Sequence, residues 1–414
     1  MSKARKVLML VENLPVPADR RVWAEATAMR DAGFQVCIIC PKGPTRHREG
    51  YCCIENIHVY RYSLPITGQT PFAYIAEYST ALLMTFLLSV KVLFRHGFDV
   101  VHSANPPDLF FLIGLFYRLL GKKFVFDQHD LAPEMFKAKY QHGGELLYKL
   151  LLQLEYWSYQ VADLVIVTNI SQQQVATKRG RYPINKVVVV RNGPDLERFK
   201  LVPHELELKR GRPLLLAYVG VMGTQDGVEY ALYALHHLVH KHSRQDVSLV
   251  LMGDGDAAPM LKTLAHELQL DAYVNFNGWS ESKDIVRYLS VADIGLSPDP
   301  QNGLNEFSTM IKTMEYMAMG KPVVAFDLAE TRFSAQEGAI YARPNDVEDF
   351  AHKIEVLLEN KALRLTIGAI GCKRIEEELS WGHSSRDLLQ AYEMLFPTTS
   401  EPRVAHQVPA ITRH

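Results

Sequence analysis

Two charged side chains, Lys312 and Glu315, lie three residues apart in the segment KTMEYMAMGKPVVAFD, residues 312–327. The segment predicts an amphipathic helix that ends at Gly320, because glycine readily takes the left-handed conformation of a helix end and Pro322 prevents continuation. Residues three apart share one helix face. A cation and a carboxylate there suit a nucleotide, since the cation and free backbone N–H groups bind phosphates and the carboxylate binds ribose hydroxyls. A surface ion pair is the alternative.

Short apolar segments alternate with helical patterns along the chain, and the polar segment Pro203–Pro213 interrupts this alternation as a predicted linker. The predicted strands are Val7–Val11, Gln35–Cys40, Val100–His102, Phe124–Asp127, Leu164–Thr168, Val187–Val190, Leu215–Val219, Ser248–Met252, Val274–Phe276, Ile294–Ser297 and Val323–Phe326. Such strands, separated by helices, are typical of parallel sheets covered on both faces. The sequence therefore predicts two doubly wound α/β domains, residues 1–202 and 203–380, with ligands in a cleft at the carboxyl ends of the strands. Residues 397–414 are predicted to be a disordered tail.

The composition, with 48% hydrophobic and 22% charged residues among 414, is typical of a soluble globular protein of two domains. Its charge is unevenly distributed. Residues 1–200 carry 25 Lys and Arg against 17 Asp and Glu, whereas residues 201–414 carry 20 against 29. A basic half is attracted to phosphates or to anionic lipid, although compositional drift explains the asymmetry equally well. No nucleic-acid partner is expected.

The most hydrophobic region is a predicted helix at Phe72–Phe94, of which only Tyr78–Val90 is uncharged. Thirteen residues are too few to cross a bilayer, which needs about 20, so a buried or interfacial helix is expected. The first apolar run, Val7–Val11, is too short for a signal peptide. Because the five cysteines are also an odd number, we expect a cytoplasmic protein, with peripheral contact at the inner face of the cell membrane as an alternative.

The segment EYMAMGKPVV, residues 315–324, resembles the donor-binding helix of the family-4 retaining glycosyltransferases, which have the two-domain GT-B fold and include enzymes of bacterial polysaccharide and O-antigen assembly. The resemblance extends from the first strand to about Leu395. It implies that Glu315 holds the nucleotide ribose, with Lys312 on the diphosphate. It also implies that a final helix, residues 381–396, crosses back onto the first domain.

The first of two glutamates that the family usually carries would fall at Phe307, and Glu306 lies one residue earlier. The expectation is that Glu306 enters the cleft and binds hydroxyls of the transferred sugar. A solvated loop carboxylate is the alternative. Ser308 is predicted to cap the donor helix and, with Thr309, to contact the donor.

A glycine-rich loop, GVMGTQDG at residues 220–227, follows a predicted strand and precedes a helix. Glycines allow the backbone to approach a ligand closely, so Gly220, Met222 and Gly223 are predicted to bind the donor.

The same loop departs from the family pattern in its charges. Where most members have an arginine and a lysine for the diphosphate, this chain has Val221 and Asp226. Lys312 and Arg332 are therefore the predicted phosphate cations. Without a cation, the charge of a departing diphosphate would be poorly compensated.

In the first domain the motif DQHDLAPE, residues 127–134, follows a strand and resembles the His-Asp segment of the family. His129 is predicted to reach the donor sugar as a proton donor or polar clamp. Asp130 is placed on the acceptor side, as are Asp19, Arg20 and Asn105 from neighbouring loops. Arg20 is expected to contact a phosphorylated acceptor or the donor diphosphate, and a helix cap is the alternative for Asp19. A capped turn with a structural histidine is the alternative.

The sequence thus predicts a retaining transfer of a sugar, from a UDP-sugar by preference, to a saccharide or polyprenyl-linked acceptor, with Lys312, His129 and Glu306 as catalytic residues and no metal or further cofactor. No well-placed pair of carboxylates suggests a covalent double displacement, and a front-face reaction is what the resemblance to the family implies. Two alternatives stay open. One is a sugar-nucleotide 2-epimerase of GT-B fold, and the other is a catalytically silent GT-B scaffold.

Overall fold

The computed structural model describes residues 4–43, 46–64, 71–139 and 144–396, of which residues 71–75 are described by their backbone alone. These residues form two β-sheets in succession, each with helices on both faces. The predicted disordered tail, residues 397–414, lies outside the described residues.

The first sheet has eight strands in the order β3-β4-β2-β1-β5-β6-β7-β8, and its neighbours run parallel except β3 and β4. Its strands are β1 (Lys6–Leu10), β2 (Gln35–Pro41), β3 (Tyr51–Ile54), β4 (Ile57–Tyr62), β5 (Val100–Ala104), β6 (Lys123–Gln128), β7 (Leu164–Val167) and β8 (Val187–Val189). The antiparallel β3–β4 hairpin was not predicted from the sequence.

The second sheet has six strands, all parallel, in the order β11-β10-β9-β12-β13-β14. Its strands are β9 (Leu214–Val219), β10 (Val247–Met252), β11 (Val274–Gly278), β12 (Ile294–Ser297), β13 (Val323–Phe326) and β14 (Ala339–Ala342). The predicted α/β class and the two doubly wound sheets are confirmed.

Helices connect the parallel strands and cover both faces of each sheet. They are α1 (Arg20–Asp31), α2 (Pro71–Arg95), α3 (Phe111–Leu119), α4 (Ala132–Lys139), α5 (Glu145–Val161), α6 (Ile170–Gln174), α7 (Val228–His236), α8 (Ala258–Glu267), α9 (Ser282–Val291), α10 (Ile311–Ala318), α11 (Ala329–Ala335), α12 (Val347–Glu359), α13 (Lys361–Arg374) and α14 (Trp381–Leu395). The last helix, α14, packs Leu388 and Tyr392 into the core formed by α1 and the first sheet.

The strand order reverses between β1 and β5 in the first sheet and between β9 and β12 in the second. Loops that leave two such strands diverge, so a crevice forms at their carboxyl ends. The glycine-rich loop follows β9, and the segment that leads to α10 follows β12. In the first domain, the loops that carry Asp19 and Asn105 follow β1 and β5. The fold therefore brings the predicted site segments to the two crevices.

A buried tyrosine of α10 ties the second crevice together. The hydroxyl of Tyr316 accepts a hydrogen bond from the backbone N–H of Val219 at 2.8 Å and donates one to the carbonyl of Leu296 at 3.1 Å. It thereby joins the ends of β9 and β12 to the helix that carries Lys312 and Glu315.

We predict that Tyr316→Phe lowers the free energy of unfolding by about 1–3 kcal/mol, because it leaves the buried N–H of Val219 without a partner. Denaturant unfolding followed by circular dichroism measures the change. Tyr233→Phe on the exposed side of α7 is the control and should change the value by less than about 0.5 kcal/mol. Equal values for both variants would contradict the role of Tyr316.

Candidate active site

The donor helix α10 is buried over almost its whole length. Its N-cap residue is Met310, which makes no side-chain capping bond. Ser308 instead donates its hydroxyl proton to the carbonyl of Leu304 at 2.9 Å. The prediction that Ser308 caps this helix is therefore wrong, because a short helical turn at Asn305–Phe307 already provides an acceptor for its hydroxyl group.

Lys312 lies at the second position of α10 and is 9% exposed. Its ammonium group makes a short ion pair with Asp299 and lies 5.1 Å from the ring centre of Tyr218. Burial alone would lower the pKa of Lys312, but the charges of Asp299 and Asp226 outweigh burial and raise it. The lysine is therefore a firmly charged cation at the second crevice.

Asp299 is held in turn by a hydroxyl chain. Ser297, at the end of β12, donates to the Asp299 carboxylate at 2.6 Å, and Thr313 of α10 donates to the Ser297 hydroxyl oxygen at 3.1 Å. An ammonium group has three N–H donors, so Lys312 can contact a diphosphate while it stays paired with Asp299.

Glu315 is buried one helical turn after Lys312, with 7% of its surface exposed. Burial raises the pKa of its carboxyl group, while the guanidinium groups of Arg198 and Arg20 and then the ammonium group of Lys312 oppose that rise. A buried carboxylate surrounded by cations is an acceptor suited to ribose hydroxyls. Arg198 had not been singled out in the sequence.

The backbone of the glycine-rich loop is already engaged within the protein. The N–H groups of Gly220 and Met222 donate to the carbonyls of Met252 and Asp254, each at 3.0 Å, and that of Gly223 donates to Asp226 at 2.9 Å.

The Met222 side chain is part of the hydrophobic core. Because their N–H groups are occupied, Gly220, Met222 and Gly223 do not offer free backbone donors for phosphates, and their close approach to the donor stays a prediction. At Gly220, where φ is 153°, an added Cβ would lie 3.1 Å from the Tyr218 hydroxyl and 3.2 Å from the Lys312 side chain, so a side chain there would crowd the lysine.

Two other predicted donor contacts, Glu306 and Arg332, are exposed and engage neighbouring side chains. Glu306 is exposed and accepts a hydrogen bond from the Gln301 side chain at 2.7 Å. Arg332 donates to both carboxylate oxygens of Asp327, each at 2.6 Å, and stacks 4.0 Å from the ring centre of Tyr341. Glu306 is thus exposed, as the alternative of a solvated loop carboxylate has it, and Arg332 is paired with Asp327, while their contacts with the donor stay predictions.

In the first domain, Nε2 of His129 lies 2.5 Å from Oδ2 of Asp127. Arg21 donates to the other oxygen of Asp127 at 3.0 Å. Burial opposes ionisation, but Arg21 and His129 hold the pKa of Asp127 well below its usual range. Burial also tends to lower the pKa of His129, and the neighbouring Asp127 raises it. His129 is thus a histidine that favours its protonated form at the edge of the first crevice.

Behind His129, the polar network continues into the core. His102 places Nε2 3.3 Å from Asp127 and Nδ1 2.7 Å from the hydroxyl of Tyr392 on α14. Nε2 faces a carboxylate and therefore donates, which leaves Nδ1 to accept from Tyr392. Glu25 lies 3.0 Å from Arg21. The C-terminal helix is in this way connected to the histidine of the site.

Glu25, His102 and Asp127 form the group of buried side chains, within the described ranges, that has metal-ligand geometry, with ligand atoms within 4.8 Å of one another. Arg21 contacts both carboxylates at 3.0 Å. Its guanidinium group supplies the positive charge that a metal ion would supply there, so we interpret the group as an ion-pair network.

The acceptor-side predictions occupy different positions. The side-chain oxygen of Asn105 accepts hydrogen bonds from the backbone N–H of His129 at 2.6 Å and from that of Asp130 at 3.2 Å. Asn105 therefore stabilises the loop that carries the histidine. Asp19 caps α1 by accepting from Val22 at 3.1 Å, which is the structural role that a helix start predicts. Arg20 is exposed and acts electrostatically on Glu315 from across the crevice.

Contacts between the two domains close the space around these residues. Asn169, at the start of α6, donates to the carbonyl of Phe307 at 2.8 Å and to the hydroxyl oxygen of Thr309 at 3.1 Å. Gln172 of the same helix donates to the carbonyl of His129 at 3.1 Å. The histidine loop and the loop before α10 are therefore bound to one short helix.

A second contact between domains uses Glu330 at the start of α11. Its carboxylate accepts from the backbone N–H of Ser171 at 2.9 Å and from Arg191 at 3.3 Å. Arg191 also stacks 4.0 Å from the ring centre of Phe333. These buried bonds fix the facing edges of the two sheets relative to each other.

Sequence comparison supports what this geometry indicates. The sequence model of glycosyltransferase family 4 matches residues 18–198, and that of glycosyl transferases group 1 matches residues 213–360. The chain belongs to glycosyltransferase family 4. The first matched segment of this glycosyltransferase covers the first sheet except β1, and the second covers the whole second sheet.

The family-4 glycosyltransferase is similar to other glycosyltransferases and synthases over most of its length. A glycogen synthase of Mycobacterium tuberculosis strain H37Rv is 22% identical over 389 residues, which cover 90% of each chain. Sucrose-phosphate synthase from Thermosynechococcus elongatus has a TM-score of 0.76 at 18% identity and covers 95% of this chain and 99% of its own. HepE from Anabaena, solved in complex with UDP-glucose, has a TM-score of 0.70 at 16% identity and covers 94% of this chain and 99% of its own. These likenesses confirm the GT-B fold.

For this glycosyltransferase we predict that Asp127→Asn lowers the pKa of His129, which in the unmodified enzyme lies above its ordinary value of 6.5. The substitution removes the charge that favours the imidazolium form. NMR titration of the imidazole resonances measures the shift, and circular dichroism verifies that the buried variant is folded. Asp254→Asn, in the second domain, is the control. An unchanged titration of His129 in folded Asp127→Asn would contradict the network.

Proposed function

We propose that this enzyme transfers a sugar from a nucleotide sugar, by preference a UDP-sugar, to a saccharide acceptor with retention of anomeric configuration. The observation that carries the proposal is the buried pair on α10, in which Lys312 and Glu315 share one turn at the crevice of the second sheet. HepE, which has the same fold, binds UDP-glucose, and this supports the choice of donor.

The proposed reaction proceeds on one face of the sugar. The bond between the anomeric carbon and the leaving diphosphate oxygen breaks, and the acceptor hydroxyl oxygen forms the new bond on the same side. The acceptor proton passes to the departing diphosphate. Lys312 stabilises the charge that develops on that diphosphate, and protonated His129 binds a hydroxyl of the sugar. The enzyme then acts by positioning and electrostatic stabilisation.

The test for Lys312 is the variant Lys312→Ala, for which we predict a fall in kcat of about 100-fold, on the scale of losing one electrostatic stabiliser. Product formation from the best-bound nucleotide sugar measures it. Lys262→Ala on the exposed face of α8 retains full turnover. Unchanged turnover of Lys312→Ala would remove this lysine from the mechanism.

The donor is identified by calorimetry with UDP, GDP and ADP, and the product by mass spectrometry with an acceptor. A transferase yields free nucleoside diphosphate together with an elongated acceptor. Conversion of the sugar nucleotide without any acceptor would indicate an epimerase. Nucleotide binding without turnover would indicate a silent scaffold.

For the acceptor we propose a saccharide linked to a lipid such as polyprenyl phosphate, used in surface polysaccharide assembly at an anionic membrane. Helices α2 and α3 carry an exposed apolar surface, here called the apolar face. It consists of Leu83, Leu87, Phe94, Leu112, Leu115, Phe116, Leu119 and Leu120. The rings of Phe86 and Phe116 pack edge to face at 5.2 Å, so the two helices present one continuous surface.

Helix α2 contains a long apolar segment. Among the described residues, Ala76–Arg95 is long and apolar enough to cross a membrane by length and composition alone, whereas the count of uncharged residues in the sequence had excluded a membrane-spanning helix. Ala81 and Val92 on one side of it are fully buried in the core of the first domain. Burial of that stripe favours a helix that lies on the membrane surface rather than one that crosses it.

Cations accompany the apolar face. Lys91 continues the Leu83–Leu87 row on α2, and Arg118 is exposed on α3. Both helices begin at the carboxyl edge of the sheet, so their first turns lie beside the crevice. A membrane on this face would hold a lipid-linked acceptor next to the site.

We predict that the enzyme floats with vesicles that contain anionic phosphatidylglycerol, and that Leu87→Glu with Leu119→Glu weakens this binding by about tenfold or more, since each leucine no longer enters the apolar layer. Leu365→Glu, on the second domain, leaves binding unchanged. Equal binding of the double variant and the control would contradict membrane contact through this face.

A further inference from the structure

A diphosphate in the second crevice needs positive charge, and the groups predicted to supply it are largely committed. Arg332 is bound to Asp327 through two nitrogen atoms. Lys312 is paired with Asp299, and Asp226 also acts on it. The ammonium group therefore faces two carboxylates before any ligand binds, and this lysine alone does not balance the charge of a diphosphate.

Arg198 is in the opposite situation. It lies in the turn Asp195–Phe199, after the last strand of the first sheet, and Phe199 packs into the core of the second domain. The Nε and Nη2 atoms of Arg198 are buried and have no hydrogen-bond partner within the described residues. The guanidinium group otherwise lies 5.0 Å from the ring centre of Phe199. Buried N–H donors without hydrogen-bond partners are costly, so these two atoms are expected to be satisfied by a ligand.

The surroundings of Arg198 identify the chemistry of that ligand. Arg20, from the start of α1, acts on Arg198 as a like charge, and both arginines act on the Glu315 carboxylate. Asp195 is the other carboxylate that acts on Arg198. Two guanidinium groups, one at the start of α1 and one in the turn after β8, thus act on the residue proposed to hold the ribose. An anion next to that ribose fits them, and in a nucleotide sugar that anion is the diphosphate.

We infer that Arg198, together with Arg20, binds the diphosphate of the donor. The two arginines thereby take the role of the arginine and lysine that most family members have at the positions of Val221 and Asp226. This inference rests on the proposed function. The guanidinium fork of Arg198 suits two phosphate oxygens at once. Because Arg20 belongs to the first domain and Arg198 to the segment between the domains, the bound diphosphate would also hold the cleft closed.

The test compares a nucleoside diphosphate with its nucleoside. Calorimetry with UDP, GDP and ADP first selects the tightest ligand, and the same titration is then made with its parent nucleoside. Arg198→Ala is expected to weaken binding of the nucleoside diphosphate by about 10- to 100-fold, the scale of a hydrogen bond to a charged group, and that of the nucleoside by less than about twofold.

Arg212→Ala is the matched control. Its Nε is also buried without a partner among the described residues, and its guanidinium group stacks 4.3 Å from the ring centre of Tyr273. Because Arg212 is not among the cations that act on Glu315, both affinities should be retained. If Arg198→Ala is not folded by circular dichroism, Arg198→Lys, which keeps the charge and loses the fork, is measured in the same way and should show a smaller, diphosphate-specific loss.

Each outcome of the titrations is decisive. Equal loss of nucleoside and nucleoside diphosphate binding, or no loss of either, would overturn the assignment of Arg198. Failure of the unmodified enzyme to bind UDP, GDP or ADP would instead overturn the proposed donor site, so that the two failures can be distinguished.

Discussion

A buried ammonium group at the carboxyl edge of the second sheet is the interaction on which the rest of the site depends. Lys312 is almost inaccessible, yet the charges of Asp299 and Asp226 raise its pKa, so it stays charged. Ser297 and Thr313 hold Asp299 in place. Because the start of α10 is fixed in this way, Glu315 on the next turn is held at the crevice, where we propose that it binds the ribose.

The first domain also has a buried charge held by partners of opposite sign, but there the buried group is a carboxylate. Asp127 is fully buried and joins Arg21, His102 and His129. Tyr392 extends this network to α14, so the last helix of the chain supports the histidine at the crevice. Paired in this way, buried charges hold their geometry without a ligand, which is the preorganisation that electrostatic catalysis needs.

The sequence predicted the elements that reflect hydrophobic periodicity and missed those that depend on local turns. The strands at both crevices were located to within about two residues. The β3–β4 hairpin was missed because its turn, Glu55-Asn56, has two residues with positive φ of 48° and 66° but lacks the glycine that usually marks such a turn. Ser308 was wrongly placed as a cap, since the preceding turn at Asn305–Phe307 has no clear signal in the sequence.

Residue roles proved harder to predict than positions. The charges that act on one another here are far apart in sequence, such as Arg198 and Arg20 around Glu315, and spacing along the chain cannot indicate which cations remain unpaired. The same limit applies to Asn169, whose contacts with Phe307 and Thr309 join the domains. A family pattern located the donor helix, and the folded structure was needed to show which of its neighbours are occupied.

The most direct test of the proposed donor site is a crystal structure of the enzyme soaked with the nucleoside diphosphate that it binds best. We predict both ribose hydroxyls within hydrogen-bond distance of the Glu315 carboxylate and the diphosphate next to Lys312, at the start of α10. A nucleotide found outside this crevice, or in it with its ribose turned away from Glu315, would contradict it.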